Sequence, residues 1–291
     1  MMKRLQLMRF YDHATMFCLI VLLSSCIKED YGQCPDYGKY RVVFNDADNS
    51  KGKTDYNVLV CPLEKGKVTF TNAWQYYRLA DSSLLRSERE LKLFPMEYSF
   101  KALLSQNQMI LAGNNVSLKT GEMYLFADSS ASVIKAVRNN VSLRFTLANS
   151  LIRVICNFSE NPISQYRISK VEISSADDSG IELDMLSGKC NSAQEVTDVY
   201  EECVREIDSN VFNYYCVPIV KAKYLNFKVF VEDISANKIN VLFSRVLLNI
   251  DIEQGKVYDY RFDVTPFDIE FKTTSILDWN DYVHSTNISL N

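Results

Sequence analysis

Residues 140–158 read "NVSLRFTLANSLIRVICNF". Val141, Leu143, Phe145 and Leu147 alternate with Ser142, Arg144 and Thr146. A helix repeats its apolar residues every three or four positions, whereas a strand buried on one face repeats every two. The stretch therefore predicts a half-buried strand over 140–148, followed by a second, "LIRVICNF", over 151–158.

The same pattern recurs outward in both directions. Downstream lie "YRISKVEIS" (166–174), "VFNYYCVPI" (211–219), "LNFKVFVED" (225–233), "INVLFSRVLLNI" (239–250) and "KVYDYRFDV" (256–264). Upstream lie "YRVVFN" (40–45), "EYSFKAL" (97–103), "QMILAG" (108–113) and "MYLFAD" (123–128). "YNVLVC" (56–61) and "KVTFT" (67–71) flank "PLEKG", a hairpin connection. Many short alternating strands predict an all-β chain built of antiparallel sandwiches, and 291 residues suit two in tandem. The expected boundary lies just before the 140–148 run, giving sandwiches over 40–136 and 137–291. One or two short helices are expected as well. One is "SAQEVTDVYEECVREI" (192–207), with apolar residues at three- and four-residue steps. The other is "DSSLLRSERELKL" (81–93), with Asp81 as its N-cap.

The N-terminus reads as an export signal. Lys3, Arg4 and Arg9 precede the apolar run Ala14–Leu23, and "LSSC" ends it at Cys26. That run is far shorter than the roughly 20 residues a membrane-spanning helix needs. Leu23, two serines and a cysteine form a lipobox, so residues 1–25 are the expected leader and Cys26 the expected lipidation site. Residues 26–39 form the expected stalk. Lys28, Glu29 and Asp30 follow the cysteine as a candidate surface-export tag.

Composition narrows the function. The chain has 32 Lys+Arg against 36 Asp+Glu and no basic block, which argues against a nucleic-acid partner. It has two histidines, His13 in the leader and His284 near the end, so triads and catalytic zinc sites find little material. No nucleophile elbow, phosphate loop, dinucleotide fingerprint or zinc-protease motif occurs. A non-enzymatic protein without metal or cofactor is expected.

Of eight cysteines, Cys18 lies in the leader and Cys26 takes lipid. The remaining six contain no CxxC pair. Cys190 and Cys203 would close a short loop and are the favoured disulfide, ahead of Cys34 with Cys61. Cys156 and Cys216 fall in strand-like runs, as buried thiols do. "NAWQYYR" (72–78) sets Trp74 and Tyr76 on one strand face, either as core or as a sugar-contacting platform.

Several segments together resemble the fimbrillin superfamily, and within it the minor-fimbrium anchor (FimB-like) lipoproteins. They are "SSC-IKED-x3-CP" with the first strand "YRVVFN", the hairpin "YNVLVCPLEKGKVTF" (56–70), "VSLRFTLANSLIRVICNF" (141–158), and "GKVYDYRFDV" with "ILDW" (255–279). The resemblance implies two tandem transthyretin-like β-sandwiches in a lipoprotein of the outer membrane, exposed at the cell surface. It implies other fimbrial subunits as partners, joined by strand addition, and a role in adhesion to a host or bacterial surface ligand. It also implies an alternative, a shaft subunit matured by proteolysis near Arg41, Lys51 or Lys53. Those three residues equally suit an ordinary solvated surface. Cys34-Pro35 beside the lipid and the poor alternation of "HSTNISLN" (284–291) favour the anchor or assembly role. A surface glycan-binding lipoprotein using Trp74 and Tyr76 is the competing class.

Overall fold

The computed structural model describes residues 38–47, 56–64, 74–79, 84–87, 90–158, 165–176, 179–220, 223–247 and 251–286. They form 22 strands and one helix. The first eleven strands are β1 (Tyr40–Asp46), β2 (Tyr56–Glu64), β3 (Gln75–Leu79), β4 (Leu85–Arg86), β5 (Leu91–Leu93), β6 (Glu97–Ser105), β7 (Leu111–Ala112), β8 (Asn115–Ser117), β9 (Tyr124–Ser132), β10 (Asn139–Leu143) and β11 (Thr146–Leu147). The others are β12 (Ser150–Phe158), β13 (Tyr166–Ala176), β14 (Glu182–Asp184), β15 (Lys189–Cys190), β16 (Val196–Glu202), β17 (Val204–Arg205), β18 (Val211–Cys216), β19 (Tyr224–Asp233), β20 (Lys238–Leu247), β21 (Lys256–Val264) and β22 (Ile269–Asp278). The helix is α1 (Trp279–Thr286).

Five sheets result. They run β10-β1-β5, β11-β9-β6-β2-β3-β4, β17-β18-β12-β21-β22, β16-β13-β19-β20 and β15-β14-β8-β7. The five-stranded sheet is mixed rather than purely antiparallel, because β12 and β21 run parallel from Leu151↔Val257 to Phe158↔Val264. Parallel neighbours need a long crossover. Here the crossover contains the whole four-stranded sheet, so local alternation carried no sign of it.

The chain divides into two compact units. The smaller contains, among the described residues, 38–42, 90–96 and 133–139, and the larger contains the rest. In the smaller, Tyr40, Arg41 and Val42 pair with Leu93, Lys92 and Leu91. In the larger, strands on the two sides of residue 137 share sheets. Thr146 and Leu147 pair with Phe126 and Leu125, and Glu182–Asp184 pair with Asn115–Ser117.

Alternation predicts the core of the larger unit well. Val141 and Leu143 are buried while Ser142 is exposed, and Leu225, Phe227, Val229 and Val231 are fully buried along β19. Phe227 faces β21, its ring centroid 5.3 Å from Tyr260 and 5.0 Å from Phe262. Such aromatic contacts add about 0.5–1.5 kcal/mol each beyond the area they bury. Val154, Cys156 and Phe212 fill the same core from the five-stranded sheet.

Where the two expected helices are described, they are strands and turns instead. Residues 196–202 pair with β13 through Ala176↔Val196 and Glu172↔Glu202. The apolar residues that suggested a helical stripe are mostly exposed: Val199 at 62%, Val204 at 64% and Ile207 at 76%. Their spacing is helical, but of the apolar residues in the segment only Cys203 is fully buried, with Val196 partly so. β-branched and aromatic content (Val196, Thr197, Val199, Tyr200) and the pairing with β13 decide the matter. Within 81–93, Leu85 pairs with Leu79, and Leu91 and Leu93 are buried on β5 at a strand's period of two. The one helix among the described residues, α1, follows β22 near the C-terminal end. Trp279 and Tyr282 are buried and lie 5.6 Å apart between ring centroids.

Candidate interaction surfaces

The expected lipidation site Cys26, the tag Lys28, Glu29 and Asp30, the cysteine Cys34, and the lysines Lys51 and Lys53 lie outside the described residues. Arg41 lies inside β1, opposite Lys92. Its guanidinium is 3.2 Å from Glu90, and its backbone carbonyl accepts a hydrogen bond from Asn139 Nδ2 at 3.3 Å. A peptide bond held in a ladder must leave it before a protease can bind it, so local opening would have to precede cleavage there.

The favoured disulfide is not formed. Cys61, Cys156, Cys190, Cys203 and Cys216 are all free thiols. Cys190 belongs to β15, where its amide donates to Gln254 Oε1 at 3.2 Å. Cys203 sits between β16 and β17, its amide donating to the Val171 carbonyl at 2.9 Å. Closeness in sequence misled here, because the intervening residues cross to other sheets. Burial pushes Cys61, Cys156 and Cys190 up to about 12, and raises Cys203 and Cys216 too. Thiolate is the reactive form, and burial disfavours it at these positions.

Trp74 and Tyr76 differ in exposure. Trp74 packs against Cys61 and Leu63, and its Nε1–H donates to Asn114 Oδ1 at 3.4 Å. Tyr76 is half-exposed, with its hydroxyl donating to the Met109 carbonyl at 3.0 Å.

A larger exposed surface comes from the four-stranded sheet. β20 is its edge strand, and no strand among the described residues pairs with its outer side. Leu242 and Val246 point into the core, while Ile239, Val241, Phe243 and Leu247 are exposed on the opposite face. Cross-strand pairing extends this stripe over β19, where Phe243 faces Lys228 and Val241 faces Phe230. Cations rest on aromatic rings across the same sheet. Lys228 Nζ lies 3.4 Å from the Tyr200 centroid, Lys170 Nζ 5.2 Å from Phe230, and the Arg245 guanidinium 4.3 Å from Tyr224. Glu172 binds Lys170 at 2.7 Å and lies 4.0 Å from Lys228. Charge on this face is thus largely neutralised internally, leaving the β20 stripe as its apolar margin.

Sequence reasoning missed this stripe. In "INVLFSRVL" both alternation phases are apolar, Ile239, Val241 and Phe243 in one and Leu242 and Val246 in the other. The available signal was that double phase, which a strand buried on one face does not need.

No family model and no curated protein sequence matches the chain. Solved structures do. A candidate cell adhesion protein from Bacteroides uniformis matches 84% of this chain and 99% of its own, with a TM-score of 0.62 and 12% identity. One from Bacteroides ovatus matches 83% and 96%, with a TM-score of 0.56 and 11% identity. The fimbrial anchor protein Mfa2 from Porphyromonas gingivalis matches 83% and 97% at 11% identity, with a TM-score of 0.33, below the range in which a shared fold can be read. The chain has the fold of the Bacteroides candidate cell adhesion proteins.

Proposed function

We propose that the protein is a non-enzymatic fimbrial lipoprotein of the bacterial surface, an anchor or assembly subunit that binds other fimbrial subunits by strand addition. Cys26 carries its lipid, Lys28–Asp30 directs it to the outer face of the outer membrane, and the chain functions in adhesion. The proposal includes two tandem transthyretin-like sandwiches. In support, the three- and six-stranded sheets draw on residues 40–147, and the five-stranded sheet and the sheet β16-β13-β19-β20 on residues 150–278, while the small sheet β15-β14-β8-β7 draws on both.

The observation that carries the reading is the β20 edge. An edge strand offers a row of backbone donors and acceptors to an incoming strand, and alternate side chains supply specificity. β20 offers ten residues and an exposed apolar stripe on one face. A partner strand with apolar residues at every second position would extend that stripe while completing the ladder.

The test uses the mature chain with Cys26→Ser, titrated with peptides from the terminal strands of fimbrial subunits. Binding is expected, together with its loss on Val241→Lys combined with Phe243→Lys. Both positions are exposed, so the fold should survive the change. Undiminished binding by the double variant would remove β20 as the acceptor.

A further inference from the structure

We propose that two copies of the free protein join their β20 edges antiparallel, about a two-fold axis at Phe243. Each copy thereby masks the other's acceptor edge until a subunit strand displaces it. The masking rests on the strand-acceptor reading above; the self-pairing rests on β20 alone.

The first observation is which backbone groups point outward. The Val171 carbonyl accepts from the Cys203 amide, and the Ser175 carbonyl from Thr197 Oγ1, so the odd-numbered residues of this part of β13 turn toward the β16 side. Its even-numbered residues turn toward β19. On β19 the Asn226 amide donates to Ser174 Oγ and the Phe230 carbonyl accepts from Ser169 Oγ, so even-numbered residues there turn back to β13. Leu225, Phe227, Val229 and Val231 are left to bond β20, at Val246, Ser244, Leu242 and Asn240. Backbone direction alternates along a strand, so Ile239, Val241, Phe243, Arg245 and Leu247 send their amides and carbonyls outward. The side chains of the same residues are the exposed ones.

The second observation is the order of those residues. A strand that completes this ladder and its stripe needs apolar side chains at every second position, and β20 meets that requirement itself. Pairing about Phe243 sets Ile239 opposite the partner's Leu247, Val241 opposite the partner's Arg245, and Phe243 opposite the partner's Phe243. Sliding the register by two residues leaves Ile239 or Leu247 with nothing opposite it in the strand. Sliding it by one sets outward amides against amides already bonded to β19. The register about Phe243 is thus the one that uses every outward residue, and such self-complementarity is what a closed two-fold dimer requires. Aromatic and β-branched pairs on one face of an antiparallel ladder stabilise it.

The third observation is charge. Like charges set directly opposite each other destabilise a strand pair. In this register Arg245 meets a valine, so no cation of the stripe meets another across the axis. Arg245 stays on its own sheet, with its guanidinium 4.3 Å from the Tyr224 centroid and its Nε donating to Asn226 Oδ1 at 3.0 Å. Lys228, opposite Phe243 on β19, is held 3.4 Å from the Tyr200 centroid.

Pairing two edges buries little surface beyond the strands themselves, so the dimer is weak and a dilute chain keeps β20 open. The cover closes where copies are concentrated, and a subunit strand competes for the same backbone groups.

The test uses the mature chain with Cys26→Ser and Cys34→Ser, sedimented over rising concentration. A reversible monomer–dimer equilibrium is expected. Val241→Lys with Phe243→Lys sets lysines opposite each other on the axis and should weaken it about tenfold or more. Both positions are exposed, so the fold should survive. The register is read from Phe243→Cys. Hydrogen-bonded antiparallel pairs hold their Cα atoms about 5.5 Å apart, within disulfide reach, so mild oxidation should link two copies through that position. Glu270→Cys, on β22, should stay unlinked. Excess terminal-strand peptide from a fimbrial subunit should return the dimer to monomer. A chain that stays monomeric, a dimer that the double lysine variant leaves unchanged, or linkage by Glu270→Cys in place of Phe243→Cys overturns the self-pairing. Peptide that binds and leaves the dimer intact overturns the masking. Peptide that fails to bind even the dilute monomer overturns the acceptor reading instead, whatever the dimer does.

Discussion

The two sheets that form the larger part of residues 150–278 end in edge strands of opposite character. β22 closes the five-stranded sheet with Glu270, Lys272, Asp278 and several Thr and Ser residues. Lys272 bonds Glu270 at 2.7 Å and Asp263 at 3.2 Å, and its register with β21 is interrupted between Arg261 and Phe262. Charge and irregularity are the usual devices that protect an edge from unwanted pairing. β20, which lies beside β22, closes the four-stranded sheet with Ile239, Val241, Phe243 and Leu247 exposed. The outer faces differ in the same sense. On the five-stranded sheet α1 lays Tyr282 against Arg153, 4.9 Å from ring centroid to guanidinium, whereas the other face is open. One sheet has a charged, irregular edge and a face capped by α1, and its partner has an apolar edge. That asymmetry supports the proposal that β20 is the acceptor edge.

The largest expected effect sharpens the closed side. Arg153 Nη1 bonds Asp259 at 2.9 Å, and both side chains are nearly buried. Its Nε has no hydrogen bond and lies 3.7 Å from Glu206, so Asp259 supplies most of its compensation. Asp259→Ala leaves a nearly buried cation with only the longer contact to Glu206 and should cost about 3 kcal/mol in urea unfolding. Trp279→Ala, which removes the anchor of α1, should cost about 3 kcal/mol or more and raise hydrogen exchange in the outer positions of β12 and β21. On the open side the effects on folding are small. Lys228→Met removes the contact with Tyr200 and should cost about 0.5–1 kcal/mol. Val241→Lys should change unfolding by less than about 0.5 kcal/mol and yet weaken binding of partner strands. If Val241→Lys destabilises as much as Asp259→Ala, the two sides do not differ as described.

Much of this was legible in the sequence, and the failures have physical causes. Alternation found β10, β12, β13, β18, β19 and β21 because each has one buried face. It failed at 192–207, where exposed Val199, Val204 and Ile207 imitate a helical stripe that nothing covers. It found β20 as a strand but not its exposed stripe, because both phases are apolar there and burial depends on which sheet lies beneath. The parallel pairing of β12 with β21 is set by a crossover of many residues that no local window contains. Cys190 and Cys203 are near in the chain, but the strands between them carry them to separate sheets. Trp279 is buried, and the helix it begins carried no sequence signal, since "DYVHSTN" is polar and short.

The most direct test of the acceptor edge is hydrogen exchange read by mass spectrometry on the mature Cys26→Ser chain, with and without a terminal-strand peptide from a fimbrial subunit. The account predicts new protection over Lys238–Leu247 and none over Ile269–Asp278. Protection at β22 instead, or bound peptide that leaves both strands unchanged, would contradict it.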